Sequence, residues 1–324
     1  MKVLVTGGAG YIGSHTAKAL LEAGHEVIVV DNLSTGFQDA IPQNTLFAKG
    51  DVCDKKFVLE VLQKYQVQAV VHFAAKLVVP ESVEKPLMYY ENNLLGVLTL
   101  SEACVKLGID KFVFSSTAAT YGDVAGSGFV SENAPTMPIN PYGWSKLMSE
   151  QVLRDCEKPH GLRSVVLRYF NVAGAALDGR NGQRTHDATH LIKVTCQAAC
   201  RKRESVGIYG TDYPTPDGTG VRDYIHVEDL ADLHVLALEY LAAGNKSNLF
   251  NCGYGRGFSV REVINTVKKV SGSEFKVIEQ PRRAGDAASL VADCSKIVEA
   301  FKWKPKRNDL ELICRSAYEW EKKI

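Results

Sequence analysis

Met1-Lys-Val-Leu-Val-Thr-Gly-Gly-Ala-Gly-Tyr-Ile-Gly13 opens the chain and holds its most informative pattern. Residues 3–5 are apolar and predict a short buried strand, and a helix is predicted to follow over residues 11–23. Glycine is required between them if a pyrophosphate is to approach the backbone, and the helix N-terminus then offers N–H groups to the phosphates. The pattern therefore predicts a dinucleotide-binding turn built on Gly7, Gly8, Gly10 and Gly13.

An acidic residue follows the next apolar run. Residues 27–30 read Val-Ile-Val-Val and predict the second strand, and Asp31 comes directly after them. A carboxylate at this point of a dinucleotide fold accepts hydrogen bonds from the adenosine ribose and repels a 2′-phosphate. The sequence therefore predicts NAD, rather than NADP, as the cofactor.

Strand and helix patterns alternate through the first half of the chain. The predicted strands cover residues 3–5, 27–30, 46–49, 69–73, 111–115 and 164–168, and the predicted helices cover 11–23, 54–65, 81–107 and 142–156. Repeated strand–helix units predict an α/β fold with a doubly wound parallel sheet of the Rossmann type. We expect an NAD-binding domain over residues 1–171, to which the chain returns around 221–252. A smaller mixed α/β substrate lobe is expected over 172–324.

Composition excludes several classes of function. Lys and Arg (38) nearly balance Asp and Glu (37), so no overall field favours nucleic acid or an anionic membrane. No apolar run approaches the roughly 18 residues that a membrane span requires. The eight cysteines are scattered, without a Cys-x-x-Cys pair or metal-ligand spacing. We therefore expect reduced cysteines, no metal site and a cytoplasmic location.

A Tyr-x-x-x-Lys pattern suggests acid–base chemistry. Tyr142 and Lys146 are four residues apart, which on a helix places them on one face. A free tyrosine titrates near pH 10, and nearby positive charge, from the ammonium or a nicotinamide ring, favours the phenolate. Upstream, the predicted strand over 111–115 leads into three hydroxyl residues, Ser115, Ser116 and Thr117. Such groups at the carboxyl end of a parallel strand point into the ligand crevice.

The glycine turn, the hydroxyl-bearing strand and the Tyr-x-x-x-Lys pair together resemble the extended, nucleotide-sugar branch of the short-chain dehydrogenase/reductase superfamily. Further motifs resemble its UDP-hexose 4-epimerases, and the similarity runs from Met1 to about Trp303. These motifs are Asn92-Asn93, Arg168-Tyr-Phe-Asn171, Asp212-Tyr-Pro-Thr215, Gly218-Thr-Gly-Val-Arg-Asp-Tyr-Ile-His226 and Pro281-Arg-Arg-Ala-Gly-Asp286.

This resemblance implies an NAD-dependent isomerase that interconverts UDP-glucose and UDP-galactose through a 4-keto sugar. Hydride is then removed and returned by the same bound NAD. The implied catalytic residues are Thr117, Tyr142 and Lys146. The implied NAD-binding residues are Gly7, Gly10, Tyr11, Ile12, Gly13, Asp31, Asn32, Asp51, Val52, Phe73, Ala74, Asn92, Tyr142, Lys146 and Tyr169. The implied substrate-binding residues are Thr117, Tyr142, Asn171, His190, Tyr209, Arg222, Arg283, Asp286 and Leu290.

Several of these assignments have structural alternatives. Two arginines from separate loops can clamp a pyrophosphate, and the alternative for Arg222 is an ion pair with Asp223 or Asp229. His190 can face the sugar or the uracil, or it can serve in surface packing. Lys76 stands one position earlier than the lysine of better-studied relatives, which leaves its role open.

Related activities differ at the residues after Thr117. Nucleotide-sugar dehydratases carry Asp-Glu there and UDP-glucuronate decarboxylases usually carry a Glu nearby, whereas this chain has Ala118-Ala119-Thr120. Epimerisation of UDP-N-acetylglucosamine or a UDP-hexuronate remains an alternative on the same site. A non-catalytic NAD-sensing protein is the alternative from another class.

Two further expectations come from the resemblance. Leu290 corresponds to the position beside the sugar 2-substituent, where members restricted to unacetylated hexoses often carry Tyr, so an N-acetyl group is expected to fit. The alternative is that Leu290 only packs inward. The helical patterns at 81–107 and 142–156 resemble those that pair across the family's two-fold axis, which implies a homodimer.

Overall fold

The computed structural model describes residues 1–123, 129–185, 188–283 and 286–324. Contacts between Cα atoms divide the chain into two compact units. The first unit contains Met1–Gly122, Pro135–Arg168 and Ala231–Phe250, and the second contains Asp123–Ala134, Tyr169–Leu230 and Asn251–Ile324. The chain thus returns to the first unit at Ala231, later than the expected position 221. Residues 123 and 129–134, expected in the first domain, belong to the second unit.

Within the described ranges the strands and α-helices alternate along most of the chain. The strands are β1 (Lys2–Thr6), β2 (Glu26–Asp31), β3 (Leu46–Lys49), β4 (Ala69–His72), β5 (Lys111–Thr117), β6 (Phe129–Val130), β7 (Arg163–Tyr169), β8 (Asn171–Ala173), β9 (Ser205–Tyr209), β10 (Val221–His226), β11 (Asn248–Cys252), β12 (Gly257–Ser259), β13 (Lys276–Gln280) and β14 (Ser289–Ala292). The helices are α1 (Tyr11–Glu22), α2 (Lys55–Tyr65), α3 (Val79–Glu84), α4 (Pro86–Tyr89), α5 (Leu95–Leu107), α6 (Pro141–His160), α7 (Leu191–Ala199), α8 (Val227–Ala242), α9 (Val260–Ser271), α10 (Ser295–Phe301) and α11 (Leu310–Glu321).

A seven-stranded sheet is the centre of the first unit. Its strand order is β11-β7-β5-β4-β1-β2-β3, and β1 pairs in parallel with both β2 and β4. The order reverses beside β1, as in doubly wound dinucleotide-binding folds, where ligands bind at the carboxyl ends of the strands near this point. The α/β fold class predicted from the sequence is confirmed.

The core of the first unit explains why its strands are almost wholly apolar. Strand β1 buries Val3, Leu4 and Val5, because helices cover both faces of a parallel sheet. Leu4 and Phe112 from the sheet pack with side chains from helix α5 in one core cluster. Burial of apolar area is worth about 25 cal/mol per Å², so this cluster stabilises the unit.

The second unit contains smaller sheets and its own core. One sheet has the order β12-β10-β14-β6, with β8 also paired to β10, and a separate sheet joins β13 to β9 in parallel. Helices α7, α9 and α11 supply the core residues Ile192, Cys196, Val263, Val267 and Ile313. The expected smaller mixed α/β lobe is therefore present. Within the described ranges, no helix is both long enough and apolar enough to cross a membrane.

The segment predicted as one helix over residues 81–107 is divided, so that expectation was wrong in detail. Helix α3 ends at Glu84, and Lys85 leaves helical geometry with φ −128° before Pro86 begins α4. Proline has no N–H to donate to the preceding turn and restricts the residue before it, which explains the break. A π-helical turn at Tyr90–Leu94 then leads into α5.

Candidate active site

The start of helix α6 holds the Tyr-x-x-x-Lys pair. Asn140 is the N-cap, and its side-chain oxygen accepts a hydrogen bond from the Gly143 N–H at 2.8 Å. Pro141 occupies the first helical position, where its missing N–H costs nothing. A Cβ at Gly143 would lie 2.8 Å from the Ala119 carbonyl oxygen, so only glycine permits this close approach. The first turn of α6 is therefore seated against the residues that follow Thr117.

Thr117 ends strand β5 and forms a side-chain hydrogen bond with Tyr142. Its hydroxyl oxygen also accepts the Ala119 N–H at 3.1 Å, which fixes its orientation. Burial raises the pKa of Tyr142, and the hydrogen bond with Thr117 acts in the opposite direction. The sequence analysis expected a lowered pKa for Tyr142. That expectation included the positive charge of a nicotinamide ring, which the protein itself does not supply.

Lys146 is deeply buried on the same helix face. Only 3% of its surface is exposed, and its ammonium donates to the Ser115 carbonyl at 2.8 Å while lying 4.9 Å from the centre of the Phe114 ring. Burial lowers the pKa of Lys146 to about 7, and the charge of Glu150 opposes that shift. The structure thus brings the three predicted catalytic residues to one end of β5 and one face of α6.

The glycine turn is compact, as the sequence predicts. Gly7 has φ +70°, and its N–H donates to the Val30 carbonyl at 2.8 Å. A Cβ at Gly7 would lie 2.7 Å from the Ala74 nitrogen, and one at Gly13 would lie 2.2 Å from the Gly7 oxygen. Helix α1 begins directly after Gly10 with no side-chain cap and no acidic residue in its first turn. This helix end fits a pyrophosphate, because its N–H groups and dipole favour an anion.

Asp31 is held firmly at the end of β2. One carboxylate oxygen accepts the Ala9 N–H at 3.0 Å and the other accepts the Leu33 N–H at 2.8 Å. Nearby, the Asn32 amide donates to the Asp51 carboxylate at 3.1 Å. The acid is thereby fixed beside the glycine turn, where a ribose is expected.

The other predicted NAD-binding residues occupy several elements. Tyr11 and Ile12 begin α1, Val52 is buried after β3, and Phe73 lies 4.7 Å from the His234 ring after β4. Asn92 lies in the π-helical turn, where its amide donates to Asn93. Tyr169 is buried and is the first residue of the second unit after Arg168.

In the second unit, Arg222 and Asp286 come together. A guanidinium nitrogen of Arg222 lies 3.7 Å from an Asp286 carboxylate oxygen. The alternative partners are engaged elsewhere: Asp223 accepts the backbone N–H groups of Tyr254 and Gly255, each at 2.9 Å, and Asp229 pairs with Arg307 at 2.7 Å. The structure thus favours the grouping of two predicted substrate-binding residues over an ion pair with Asp223 or Asp229.

Two further predicted substrate-binding residues, Leu290 and Arg283, lie close to Asp286 in the sequence. Arg222 is opposite Leu290 in the parallel pairing of β10 with β14, and Leu290 is half-buried. Arg283 stacks on Tyr209, with its guanidinium carbon 3.5 Å from the ring centre. Residues 284 and 285 of the motif that contains Arg283 lie outside the described residues.

A cavity of about 30 Å³ in the second unit is lined by Asn171 and His190. His190 precedes helix α7, and its ring nitrogen lies 3.1 Å from the Gln183 amide nitrogen. The sequence analysis missed other residues of this lining, among them Gln183, Lys193 and Trp320. They are distant in sequence and belong to no recognisable motif, so no local signal identified them.

The first unit also contains residues that the sequence analysis missed. The Asn93 amide donates to Ser145 and accepts from the Lys76 N–H, which ties the π-helical turn to α6. Glu150, four residues after Lys146, binds Arg168. Helical spacing was the available signal for Glu150, since 142, 146 and 150 share one face. Within the described residues, no group of three or more His, Cys, Asp or Glu side chains is arranged to hold a metal ion.

A parallel sheet with this strand order, a glycine turn and a Tyr–Lys helix define a dinucleotide-dependent enzyme of the α/β class. A model of the NAD dependent epimerase/dehydratase family matches residues 3–253. The chain belongs to this family, and its cofactor is NAD.

Individual relatives are similar over almost their whole length. UDP-glucose 4-epimerase of Azospirillum brasilense is 55% identical over 323 residues, which cover 100% of this chain and 92% of the relative. The crystal structure of UDP-glucose 4-epimerase from Brucella ovis in complex with NAD is 44% identical, with a TM-score of 0.96 and coverage of 99% and 98%. The UDP-Glc/GlcNAc 4-epimerase of Campylobacter jejuni is 51% identical, with a TM-score of 0.88 and coverage of 100% and 99%.

Proposed function

We propose that this protein is an isomerase that interconverts UDP-glucose and UDP-galactose by inverting C4 of the hexose. The observation that carries the proposal is the hydrogen bond between Thr117 and Tyr142, with Lys146 one helical turn further along the same face. Relatives with the same fold and 44–55% identity are UDP-glucose 4-epimerases, which supports the proposal.

The side chains have distinct roles in the proposed reaction. The Tyr142 oxygen takes the proton of the sugar 4-hydroxyl and later returns it to the oxygen of the 4-keto group, once the sugar presents its opposite face. Thr117 hydrogen-bonds the reacting oxygen, and Lys146 stabilises the phenolate. NAD, when bound, accepts a hydride from C4 and gives it back. Because the configuration inverts, the hexose must turn between the two proton transfers.

We propose that the nucleotide holds the substrate while the hexose turns. Arg222 and Arg283 are suited to the pyrophosphate, because a guanidinium can donate two parallel hydrogen bonds to it. Asp286 is suited to the uridine ribose. The first structural unit carries the proposed NAD-binding residues except Tyr169. The second unit carries Tyr169 and the proposed substrate-binding residues Asn171, His190, Tyr209, Arg222, Arg283, Asp286 and Leu290.

The test is an assay of purified protein with UDP-galactose and UDP-glucose, in which each sugar is followed in both directions. Tyr142→Phe should reduce turnover about 10²–10⁴-fold, the usual contribution of a general acid–base group, while bound NAD is retained. Tyr65→Phe, on helix α2, serves as a matched control and should keep full activity. No interconversion by the wild-type protein would refute the proposal, and turnover of Tyr142→Phe within a few-fold of wild type would refute the role of Tyr142.

A second candidate activity, epimerisation of UDP-N-acetylglucosamine, is favoured by Leu290. This side chain is opposite Arg222 in the β10–β14 pairing, next to the proposed pyrophosphate contact. Leucine is smaller than tyrosine and leaves room for an acetamido group. The relative from Campylobacter jejuni, a UDP-Glc/GlcNAc 4-epimerase, adds support.

Leu290→Tyr should selectively reduce activity on the acetylated sugar. A change of this size in an apolar pocket gives about 1–3 kcal/mol of discrimination, so the expected result is a shifted preference. Leu290→Met conserves volume and should leave the ratio of the two activities unchanged. Equal losses on both sugars in Leu290→Tyr, or no wild-type activity on the acetylated sugar, would exclude this second activity.

We also propose that the protein acts as a cytoplasmic homodimer. The eight cysteines are reduced thiols, which is typical of the cytoplasm. Exposed apolar side chains are concentrated on helices α3 to α6, and apolar patches of this kind commonly mark protein interfaces. They include Val83, Leu87, Leu95, Leu98, Trp144 and Met148.

A further inference from the structure

Helix α6 carries a third ionisable side chain, Glu150, on the face that carries Tyr142 and Lys146. Glu150 follows Lys146 by four residues, and only 2% of its surface is exposed. One of its carboxylate oxygens accepts a hydrogen bond from the Ser116 hydroxyl at 2.5 Å. Ser116 directly precedes Thr117 at the end of β5. Glu150 therefore connects the helix that carries the proposed base to the strand that carries its hydroxyl partner.

Arg168 forms the second connection of the same carboxylate. Its guanidinium donates to both Glu150 oxygens, at 2.9 and 2.6 Å, and is itself 3% exposed. The guanidinium carbon also lies 4.7 Å from the centre of the Tyr121 ring, shortly after Thr117. A bidentate buried pair of this kind fixes orientation as well as distance. Strands β5 and β7 are thus both tied to one point on α6.

The charge of Glu150 also bears on Lys146. The groups that face the ammonium from β4 and β5 are His72, the Phe114 ring and the Ser115 carbonyl. Burial lowers the pKa of His72 to about 3, so the imidazole is neutral near neutral pH. On α6 itself the neighbours are Tyr142 and Glu150, and the Glu150 charge raises the pKa of Lys146 against the effect of burial.

We propose that Glu150 is a positioning residue for the reaction: it fixes the catalytic helix to the strand end at Thr117, and its carboxylate places a negative charge on the helix face that carries the Lys146 ammonium. This inference rests on the proposed epimerase function. Glu150 contacts none of the reacting atoms, so its effect is on the geometry and protonation of Tyr142, Thr117 and Lys146.

Two variants separate the two parts of this role. Glu150→Gln keeps the size of the side chain and an acceptor oxygen but removes the charge. In the NAD-loaded protein it should lower kcat and move the alkaline limb of kcat to lower pH by about one unit, the effect expected for loss of an adjacent opposite charge. Ser116→Ala keeps the charge and removes one hydrogen bond, so it should lower kcat without moving that limb. The KM for UDP-galactose should stay within about twofold in both variants, because neither residue contacts the sugar nucleotide.

Glu150→Gln leaves the Arg168 charge buried without its partner, which can prevent folding. The double variant Glu150→Gln/Arg168→Gln removes both charges and should still move the alkaline limb to lower pH. A second readout does not need turnover: the absorbance of tyrosinate, taken as the difference from the matching Tyr142→Phe protein, gives the pKa of Tyr142. That pKa should fall in Glu150→Gln, because Lys146 is already uncharged at the pH where the phenol titrates, and the variant then loses only the Glu150 negative charge that opposes the phenolate.

Failure of the inference about Glu150 and failure of the proposed epimerase function give different experimental results. If the wild-type protein interconverts no UDP-hexose, the epimerase function fails, and the tyrosinate titration still tests Glu150. If wild type is active and both charge-removing variants keep the wild-type alkaline limb and tyrosinate titration, the inference about Glu150 is overturned. A shift of the same size in Ser116→Ala would also overturn it, because the charge would then not be the cause.

Discussion

Tyr142 and Lys146 both lie where burial favours the uncharged form. Burial raises the pKa of the phenol and lowers that of the ammonium to about 7, because transfer of either charge from water is costly. The protein compensates with specific contacts: a hydrogen bond from Thr117 for one and the charge of Glu150 for the other. We therefore expect Tyr142, the proposed base, to become effective only when further positive charge is added nearby, as an oxidised nicotinamide ring would provide.

We predict that the choice between dinucleotides depends on Asp31. Asp31→Asn preserves the size of the side chain and one of the two oxygens that accept the Ala9 and Leu33 N–H groups, and it removes the charge that repels a 2′-phosphate. Its preference for NAD over NADP should fall by about tenfold, equivalent to about 1.4 kcal/mol. Calorimetric titration of cofactor-free protein with both dinucleotides measures this ratio, with the exposed Asp155→Asn as control. A wild-type preference for NADP would contradict the role given to Asp31.

His72 predicts a particular dependence of stability on pH. It is buried against the rings of Phe112 and Phe114, its ring nitrogen lies 2.6 Å from the Thr6 hydroxyl, and its pKa is lowered from 6.5 to about 3. Below about pH 6.5 the His72 ring is therefore protonated in the unfolded chain. In the folded chain it stays neutral until the pH falls to about 3. The stability contributed by the neutral ring is complete above pH 6.5 and is lost progressively as the pH falls towards 3.

His72→Asn should flatten this acid dependence. Between pH 7 and pH 5 the wild-type protein loses about 2 kcal/mol of its free energy of unfolding, because His72 stays neutral in the folded state. The variant lacks this loss. Urea unfolding at a series of pH values measures the difference. His160→Gln, at the exposed end of α6, is the control and should retain the wild-type slope. An unchanged slope in His72→Asn would show that other groups cause the acid sensitivity.

At the scale of elements, the π-helical turn between α4 and α5 positions Asn93 for a set of buried hydrogen bonds. The π-helical turn at Tyr90–Leu94 turns Asn93 inward, where 2% of it is exposed. Its oxygen accepts from the Lys76 and Asn92 N–H groups, and its nitrogen donates to the Lys76 carbonyl and to Ser145. One amide thus joins three segments around the start of α6, and all of its hydrogen-bonding capacity is used.

Asn93→Ala should destabilise the protein by about 2–3 kcal/mol, because several buried partners lose their hydrogen bonds together. The midpoint of denaturant unfolding measures this loss. Asn245→Ala removes an exposed amide that donates to the Tyr240 carbonyl at 2.9 Å, and it should cost far less. If the two variants were equally stable, the hydrogen bonds of Asn93 would contribute no more to the free energy of unfolding than those of an exposed amide.

At the scale of the whole molecule, the exposed apolar side chains of α3 to α6 form the proposed dimer surface. Leu87 is 74% exposed and Val83 63%, which are high values for large apolar residues. A two-fold symmetric contact would cover these side chains in both copies at once. The proposed surface lies within the first structural unit.

Leu98→Asp should shift the protein towards monomer, because a carboxylate would be buried in an apolar contact without a partner. Sedimentation velocity at micromolar concentration measures the distribution. Val298→Asp is a matched control, since Val298 is also helical and is 41% exposed against 42% for Leu98. A monomeric wild-type protein would refute the dimer, and equal dissociation by both variants would refute this choice of surface.

The sequence alone predicted the features that depend on local spacing. The β1 strand, the glycine turn, helix α1 and Asp31 follow one another in the chain, and each has a direct stereochemical reason for its residue type. Tyr142 and Lys146 are likewise neighbours through helical periodicity. These features needed no knowledge of distant contacts, so the fold class and the cofactor were predicted correctly.

Only the tertiary structure decided which distant groups meet. The partner of Arg222 is Asp286 rather than the nearby Asp223, and Glu150 binds Ser116 and Arg168 from two different strands. Tertiary packing also decided that residues 129–134 join the second unit and that the pattern over 81–107 is broken. Such contacts arise from the packing of elements far apart in the chain, and packing has no periodic signature in sequence.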